Sequence, residues 1–327
     1  MLLALPAQPI IQTGQWVWQT LWQIMMSQLA PSKPTGDYQR PDSTFLDAIG
    51  TEQYPAATGR YRLYVGLSCP WAHRTLLVRS LKGLEKTVDV VVLRASVAAG
   101  GWAFDPAHEG CTTLAQFYRH AHPNYRGRTT VPVLWDKQTG AIVNNESAEI
   151  IKLLNSTLNE FAENPNLDLS PEALRPDIDR WNDEIYTTLN NGVYRCGFAQ
   201  SQAAYNEAVT TLFATLNKLD IHLAQQRYLC GAQLTLADVR LFPTLIRFDA
   251  VYHGLFRCDR RRIVDYPNLW GYLRDLYQHP GIAQTCDLAQ MRQDYYQTLF
   301  PINPGGIVPI GPDLATLQQP TERDRLV

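Results

Sequence analysis

Tyr61-Arg62-Leu63-Tyr64-Val65-Gly66-Leu67-Ser68-Cys69-Pro70-Trp71-Ala72-His73-Arg74 decides the fold of this chain. Residues 61–65 have the composition of a strand, and Gly66-Leu67-Ser68 interrupts it. Pro70 stands where a helix would begin, a position at which its missing N–H costs nothing. The helix is expected to run to about Lys82, with Gly83 as its stop. Residues 88–93 then read as a strand buried on both faces, which completes a β-α-β unit.

Downstream, residues 131–135 and 141–143 predict a hairpin around Lys137-Gln138-Thr139-Gly140, and residues 146–154 predict a helix. The order β-α-β, insertion, β-β-α resembles a thioredoxin-like α/β domain over residues 61–155. A linker rich in Asn, Pro and Asp follows at 156–170. Helical periodicity over 173–190, 202–225, 236–253, 269–278 and 281–300 predicts an all-α second domain, 171–300. Thr235-Leu236-Ala237-Asp238 has the spacing of a helix cap and reads as a folding element. Residues 301–327 form a tail whose Pro- and Gly-rich part predicts an extended strap. Residues 1–60 hold a helix and an irregular arm. In that helix Trp18, Leu21, Trp22, Met25 and Leu29 recur at helical spacing after a cap at Thr13, which predicts docking on the protein's own surface or on a partner.

Bulk composition excludes several function classes. The 327 residues carry 29 Lys plus Arg against 31 Asp plus Glu without a long basic run, so nothing favours nucleic acid. No cation precedes the apolar stretch at 16–29, and Gln19, Gln23 and Gln28 interrupt it, so it predicts neither a secretory signal nor a membrane span. Six cysteines, at 69, 111, 196, 230, 258 and 286, show no C-x-x-C pair and no metal-ligand or disulfide spacing. A reducing, cytoplasmic setting without a metal is expected.

Cys69 opens the predicted helix, where its sulfur meets backbone N–H groups that no helical carbonyl satisfies. The helix dipole contributes about 0.3–1 kcal/mol there, less than one pKa unit, so direct N–H contacts must supply any larger depression of the thiol pKa. The residue three positions on is Ala72, so a mixed disulfide on Cys69 has no local resolving cysteine and needs an external thiol. The other five cysteines lie in no comparable setting and read as core thiols.

Residues 64–74, Gly127-Arg128-Thr129-Thr130-Val131-Pro132-Val133-Leu134-Trp135-Asp136, and Asn144-Asn145-Glu146-Ser147-Ala148-Glu149-Ile150-Ile151 together resemble the xi-class glutathione transferases, the glutathionyl-hydroquinone reductases. Gly101-Trp102, residues 190–199 and Ile302-Asn303-Pro304-Gly305-Gly306-Ile307-Val308-Pro309 extend the likeness over roughly residues 36–312. The resemblance implies glutathione as co-substrate and Cys69 as the nucleophile. It also implies glutathione contacts from Trp102, Arg128, Val131, Pro132, Glu146 and Ser147, and an acceptor site from Tyr194, Tyr252 and one of Tyr295 or Tyr296. A cis Val131-Pro132 step would present the Val131 backbone to the cysteinyl part of the tripeptide like a strand. Ser147 would hold the γ-glutamyl carboxylate at a helix start while Glu146 takes the ammonium. A homodimer joined through the helical domains is implied as well. An omega-like thioltransferase or dehydroascorbate reductase would use the same thiol, and a non-catalytic ligand-binding relative would keep only the scaffold.

Overall fold

In a computed structural model, residues 7–326 of the chain are described. Helix α1 (Ala7–Leu29) leads into an arm without regular structure, then β1 (Tyr61–Gly66), α2 (Pro70–Lys82) and β2 (Val88–Ser96). The pair β1 and β2 is parallel, as a crossover helix requires. Gly83 ends α2 in the left-handed conformation (φ 65°), and its N–H bonds back to the last turn. Val92 stays 46% exposed, so β2 is not buried on both faces as expected; Arg94, two residues on and on the same face, is exposed too.

The insertion between β2 and the predicted hairpin carries structure of its own. It supplies β3 (Gly101–His108), β4 (Cys111–Thr113) and α3 (Leu114–Ala121), with Thr113 and Gln116 forming a reciprocal cap. The hairpin β5 (Val133–Asp136) and β6 (Ala141–Asn144) follows, then α4 (Ser147–Asn155). The sheet order is β4-β3-β2-β1-β5-β6, so the thioredoxin-like four-strand core is widened at one edge by the inserted hairpin. The buried Arg60 and Asp136 side chains pair with two contacts, at 2.5 and 2.8 Å, and join the end of the arm to β5.

The second half is helical: α5 (Arg175–Ile185), α6 (Gly192–Gly197), α7 (Gln202–His222), α8 (Leu236–Arg247), the short α9 (His253–Leu255), α10 (Pro267–Gln278) and α11 (Leu288–Thr298). Wide π turns, Tyr186–Asn190 and Phe248–Tyr252, extend α5 and α8. The predicted helix over 281–300 is broken, and α11 starts only where the Asp287 side chain accepts the Gln290 N–H at 2.9 Å. Buried Asp238 caps α8 at the Thr235 N–H and also accepts from Leu229 and Tyr272, which bears out its folding role.

Helix α2 locks the halves together. Its buried Arg74 donates to the Asn190 side-chain oxygen at 2.7 Å, and Ser80 donates to the Gly281 carbonyl at 2.8 Å. The tail is less extended than expected, because residues Leu314–Gln318 form a 3-10 turn whose Leu317 is buried. Farther on, buried Arg323 reaches the Leu223 and Arg227 carbonyls. Helix α1 also departs from expectation. Thr13 lies inside it rather than at its cap, and Ile10, Ile11, Trp16, Val17, Trp18, Leu21 and Ile24 are 43–67% exposed. Only the last turns, through Met26, Trp22 and Leu29, meet the core.

Candidate active site

Cys69 precedes α2 in an extended conformation (φ −74°, ψ 119°), so the turn from strand to helix presents its sulfur at the end of the sheet. The sulfur lies 3.5 Å from the Val131 carbonyl oxygen, next to the Val131-Pro132 peptide, which is cis as expected. Burial pushes the thiol above its ordinary pKa. The N–H groups of Ala72 and Trp71 and the charges of Arg40 and Arg247 oppose that rise without reversing it. The depressed thiol pKa expected from the helix start is therefore corrected: desolvation outweighs the N–H contacts and the nearby cations.

On one side of Cys69 lies a polar groove lined by Arg40, Ser43, Trp71, Arg128, Val131, Pro132, Glu146 and Ser147, among others. Glu146 is the N-cap of α4, accepting the Ala148 N–H at 3.0 Å and the Ser43 hydroxyl at 2.8 Å. Ser147 is the first residue inside the helix, with its hydroxyl 3.4 Å from the buried Arg74 guanidinium. A carboxylate acceptor, a helix start and exposed Arg128 thus share one groove, a set suited to a zwitterion with a second carboxylate.

On the other side a cleft of about 480 Å³ is lined by Cys69, Trp102, Tyr194, Phe198, Tyr295 and Leu299, among others. That is the size range of a small-molecule site. The Tyr295 hydroxyl is 2.6 Å from that of Tyr194 and 3.1 Å from that of Tyr252, so the three phenols form one chain. Burial, the largest cause, holds all three above the ordinary tyrosine pKa, keeping them protonated donors. Trp102 packs on Gly66, where any Cβ would collide with the indole ring. Glycine at the end of β1 therefore lets the tryptophan reach the cleft beside Cys69.

The glutathione S-transferase N-terminal domain family matches residues 68–157, and the glutathione S-transferase C-terminal domain family matches residues 202–275. The chain is 46% identical to the glutathionyl-hydroquinone reductase YqjG of Escherichia coli, over 94% of this chain and 97% of that one. It is 45% identical to the glutathionyl-hydroquinone reductase PcpF of Sphingobium chlorophenolicum, over 90% and 94%. Among solved structures, the xi glutathione transferase of Phanerochaete chrysosporium superposes with a TM-score of 0.85 at 43% identity, covering 89% of this chain and 97% of its own. The chain belongs to the xi-class glutathione transferases. Glutathione-bound YqjG superposes with a TM-score of 0.81 at 47% identity, over 86% and 96%.

In this xi-class chain the predicted residues are not all brought to one surface. Cys69, Trp102, Arg128, Val131, Tyr194 and Tyr295 line the cleft, while Pro132, Glu146 and Ser147 line the adjoining groove. Tyr252 is fully buried and stands behind Tyr295 rather than in the wall. Tyr296 is turned away toward Gly254, because successive residues of α11 point about 100° apart. Sequence reasoning missed Arg40, whose guanidinium lies 4.1 Å from the Trp71 ring centroid and borders both spaces. Asp294, which lines the cleft next to Tyr295, was also missed. Arg40 gives no sequence signal, since it lies in an aperiodic arm.

Proposed function

We propose that this xi-class chain reduces glutathionyl-hydroquinones to hydroquinones, with glutathione as reductant and Cys69 as nucleophile. One observation carries the reading: the Cys69 sulfur stands where a charged, polar groove meets a cleft walled by linked phenols. Glutathione would lie in the groove, its ammonium toward Glu146 and its γ-glutamyl carboxylate toward Ser147. Its cysteinyl backbone would lie along Val131 beside Pro132, with Arg128 and Trp102 flanking the remainder. The ring would lie in the cleft against Tyr194 and Tyr295, with Tyr252 supporting Tyr295 from behind.

The Cys69 thiolate would attack the conjugate's sulfur, forming an S–S bond as the bond from that sulfur to the ring carbon breaks. The released electron pair passes to the ring carbon, which takes a proton from a phenol of the linked chain or from water. Hydroquinone leaves. A glutathione thiolate then attacks the glutathione sulfur of the mixed disulfide, releasing oxidised glutathione and restoring the Cys69 thiolate. Protonated phenols suit the first step because they can donate to the departing ring, whose carbon is a poor leaving group.

Residues 61–155 would serve as the glutathione-binding unit and 171–300 as the acceptor and dimerisation unit of a homodimer. Six free thiols accord with a reducing cytoplasm. Among the described residues no helix is long and apolar enough to cross a membrane. Intact-mass measurement after mixing with a glutathionyl-hydroquinone, without free glutathione, should show one added glutathione, mapped to Cys69. Cys69→Ser should show neither the adduct nor turnover. Turnover retained by that folded variant would remove Cys69 from the reaction.

A further inference from the structure

Arg247, the last residue of α8, is fully buried, and among the described residues it makes no ion pair. Four hydrogen bonds account for its burial. Nε donates to the Ser68 carbonyl at 3.0 Å, Nη2 to the Leu67 carbonyl at 2.9 Å, and Nη1 to the Pro243 carbonyl and to His73 Nδ1, both at 2.9 Å. Leu67 and Ser68 are the two residues before Cys69. The guanidinium thus fastens the turn that aims the sulfur, from a helix in the other half of the chain.

The contact with His73 also fixes a protonation state. A guanidinium only donates, so His73 Nδ1 accepts and its proton sits on Nε2, which donates to the Thr285 hydroxyl at 2.7 Å. Thr285 in turn donates to the Ile282 carbonyl at 2.7 Å. Burial, with the Arg247 charge, pushes His73 well below its ordinary pKa, so the imidazole is neutral and the positive charge stays on Arg247.

That charge is not neutralised by a carboxylate, so its field remains available to the cleft. It acts on Cys69 beside the larger influence of Arg40, and also on Tyr252 and Tyr295. The other groups facing Cys69 are Arg40 from the arm, Arg128 before β5, Tyr194 from α6, Tyr252 after α8, and Asp294 and Tyr295 from α11. Arg40 and Arg128 are attached to irregular segments and reach solvent, whereas Arg247 is held by four acceptors.

We propose that Arg247 is a positioning residue of the reductase: it holds the Leu67 and Ser68 carbonyls toward itself and supplies the fixed positive charge against which Cys69 becomes and remains a thiolate. The inference rests on the reading of Cys69 as nucleophile. It adds an electrostatic source that belongs neither to the helix start nor to bound glutathione.

The test follows thiolate formation rather than turnover alone. Absorbance near 240 nm is titrated against pH in the full chain, with Cys69→Ser subtracted to remove the other five thiols. In Arg247→Met the Cys69 midpoint should rise by about half a pH unit or more, because the charge and the grip on the Leu67 and Ser68 carbonyls are lost together. In Arg247→Lys, which keeps a charge but not the forked geometry, the midpoint should move by less than half as much as in the Met variant. Turnover of the Lys variant should fall at least about tenfold with a smaller change in KM for glutathione. A folded Arg247→Met with an unmoved midpoint overturns the proposal. Should the Met variant not fold, an Arg247→Lys midpoint displaced by a full unit, or Lys turnover equal to wild type, overturns it instead. Loss of the proposed nucleophile would show separately, as turnover surviving in Cys69→Ser.

Discussion

Replacing Tyr295 by Phe removes one oxygen from a chain of three phenols and separates two contributions to the reaction. The hydroxyl is 2.6 Å from that of Tyr194, which lines the cleft, and 3.1 Å from that of fully buried Tyr252. Tyr295→Phe takes away the 3.1 Å partner of the Tyr252 hydroxyl and leaves it Tyr194 as a neighbour, so the cost is about 1 kcal/mol in stability. That is a modest lowering of Tm, measurable by calorimetry. If Tyr295 hands a proton toward the ring, loss of general-acid assistance should lower turnover by about 10²–10⁴-fold. The informative control is Tyr252→Phe, which breaks the 3.1 Å contact while leaving the cleft wall unchanged. It should lose comparable stability and less than about tenfold in turnover. Single-turnover absorbance decay of glutathionyl-menadione at saturating glutathione measures both variants. Because burial raises the pKa of all three phenols, the protonated form is the one present from pH 6 to 9, and the Tyr295→Phe deficit should not vary across that range. Turnover of Tyr295→Phe within about twofold of wild type, or an equal loss in Tyr252→Phe, would refute this division of roles.

Glu146→Gln and Arg128→Ala each remove a charge-assisted contact worth about 1.5–3 kcal/mol, so KM for glutathione should rise about tenfold or more with a smaller effect on kcat; unchanged KM in both displaces the tripeptide from the groove. Asp136→Asn leaves buried Arg60 without its counter-charge and should destabilise the fold by about 3–5 kcal/mol in denaturant titration. The folded pKa of Asp136 is lowered, so its stabilising contribution is present above the ordinary carboxylate range and lost as pH falls through the folded value; the variant should unfold with less acid dependence than wild type. Deleting residues after Phe300 removes the Asn303 contact to the Tyr296 carbonyl, 2.7 Å, just beyond Tyr295. That deletion should impair hydroquinone release more than glutathione binding. Light scattering should report about twice 37.0 kDa for the intact chain, and a monomer at micromolar concentration removes the dimer.

What was legible locally proved so because its physics is local. Pro70 starts α2 because its ring is already set for a first helical position, and Gly83 ends it because left-handed backbone suits glycine. Thr113 and Gln116 carry a capping spacing equally plain in the sequence, but α3 is only eight residues long, too short for periodicity to mark it. The motif around Cys69 and the residues 144–151 were legible for the same reason: each turn or helix start is built by neighbours in the chain.

The amino-acid sequence by itself determined the strand, turn and helix that carry Cys69, the alternation that builds the thioredoxin-like half, and the helical character of the rest. Only the tertiary structure decided that Tyr295 rather than Tyr296 faces the cleft, since that depends on how α11 is rotated against the π turn Phe248–Tyr252. It alone brought Arg40 and Arg247 to Cys69 from positions 29 residues before and 178 residues after it. It also decided the direction of the Cys69 pKa, because a helix start favours the thiolate locally while desolvation by distant segments opposes it more strongly. Periodicity specifies which faces are apolar; the charges and phenols that meet across the cleft are set by packing between segments far apart in the chain.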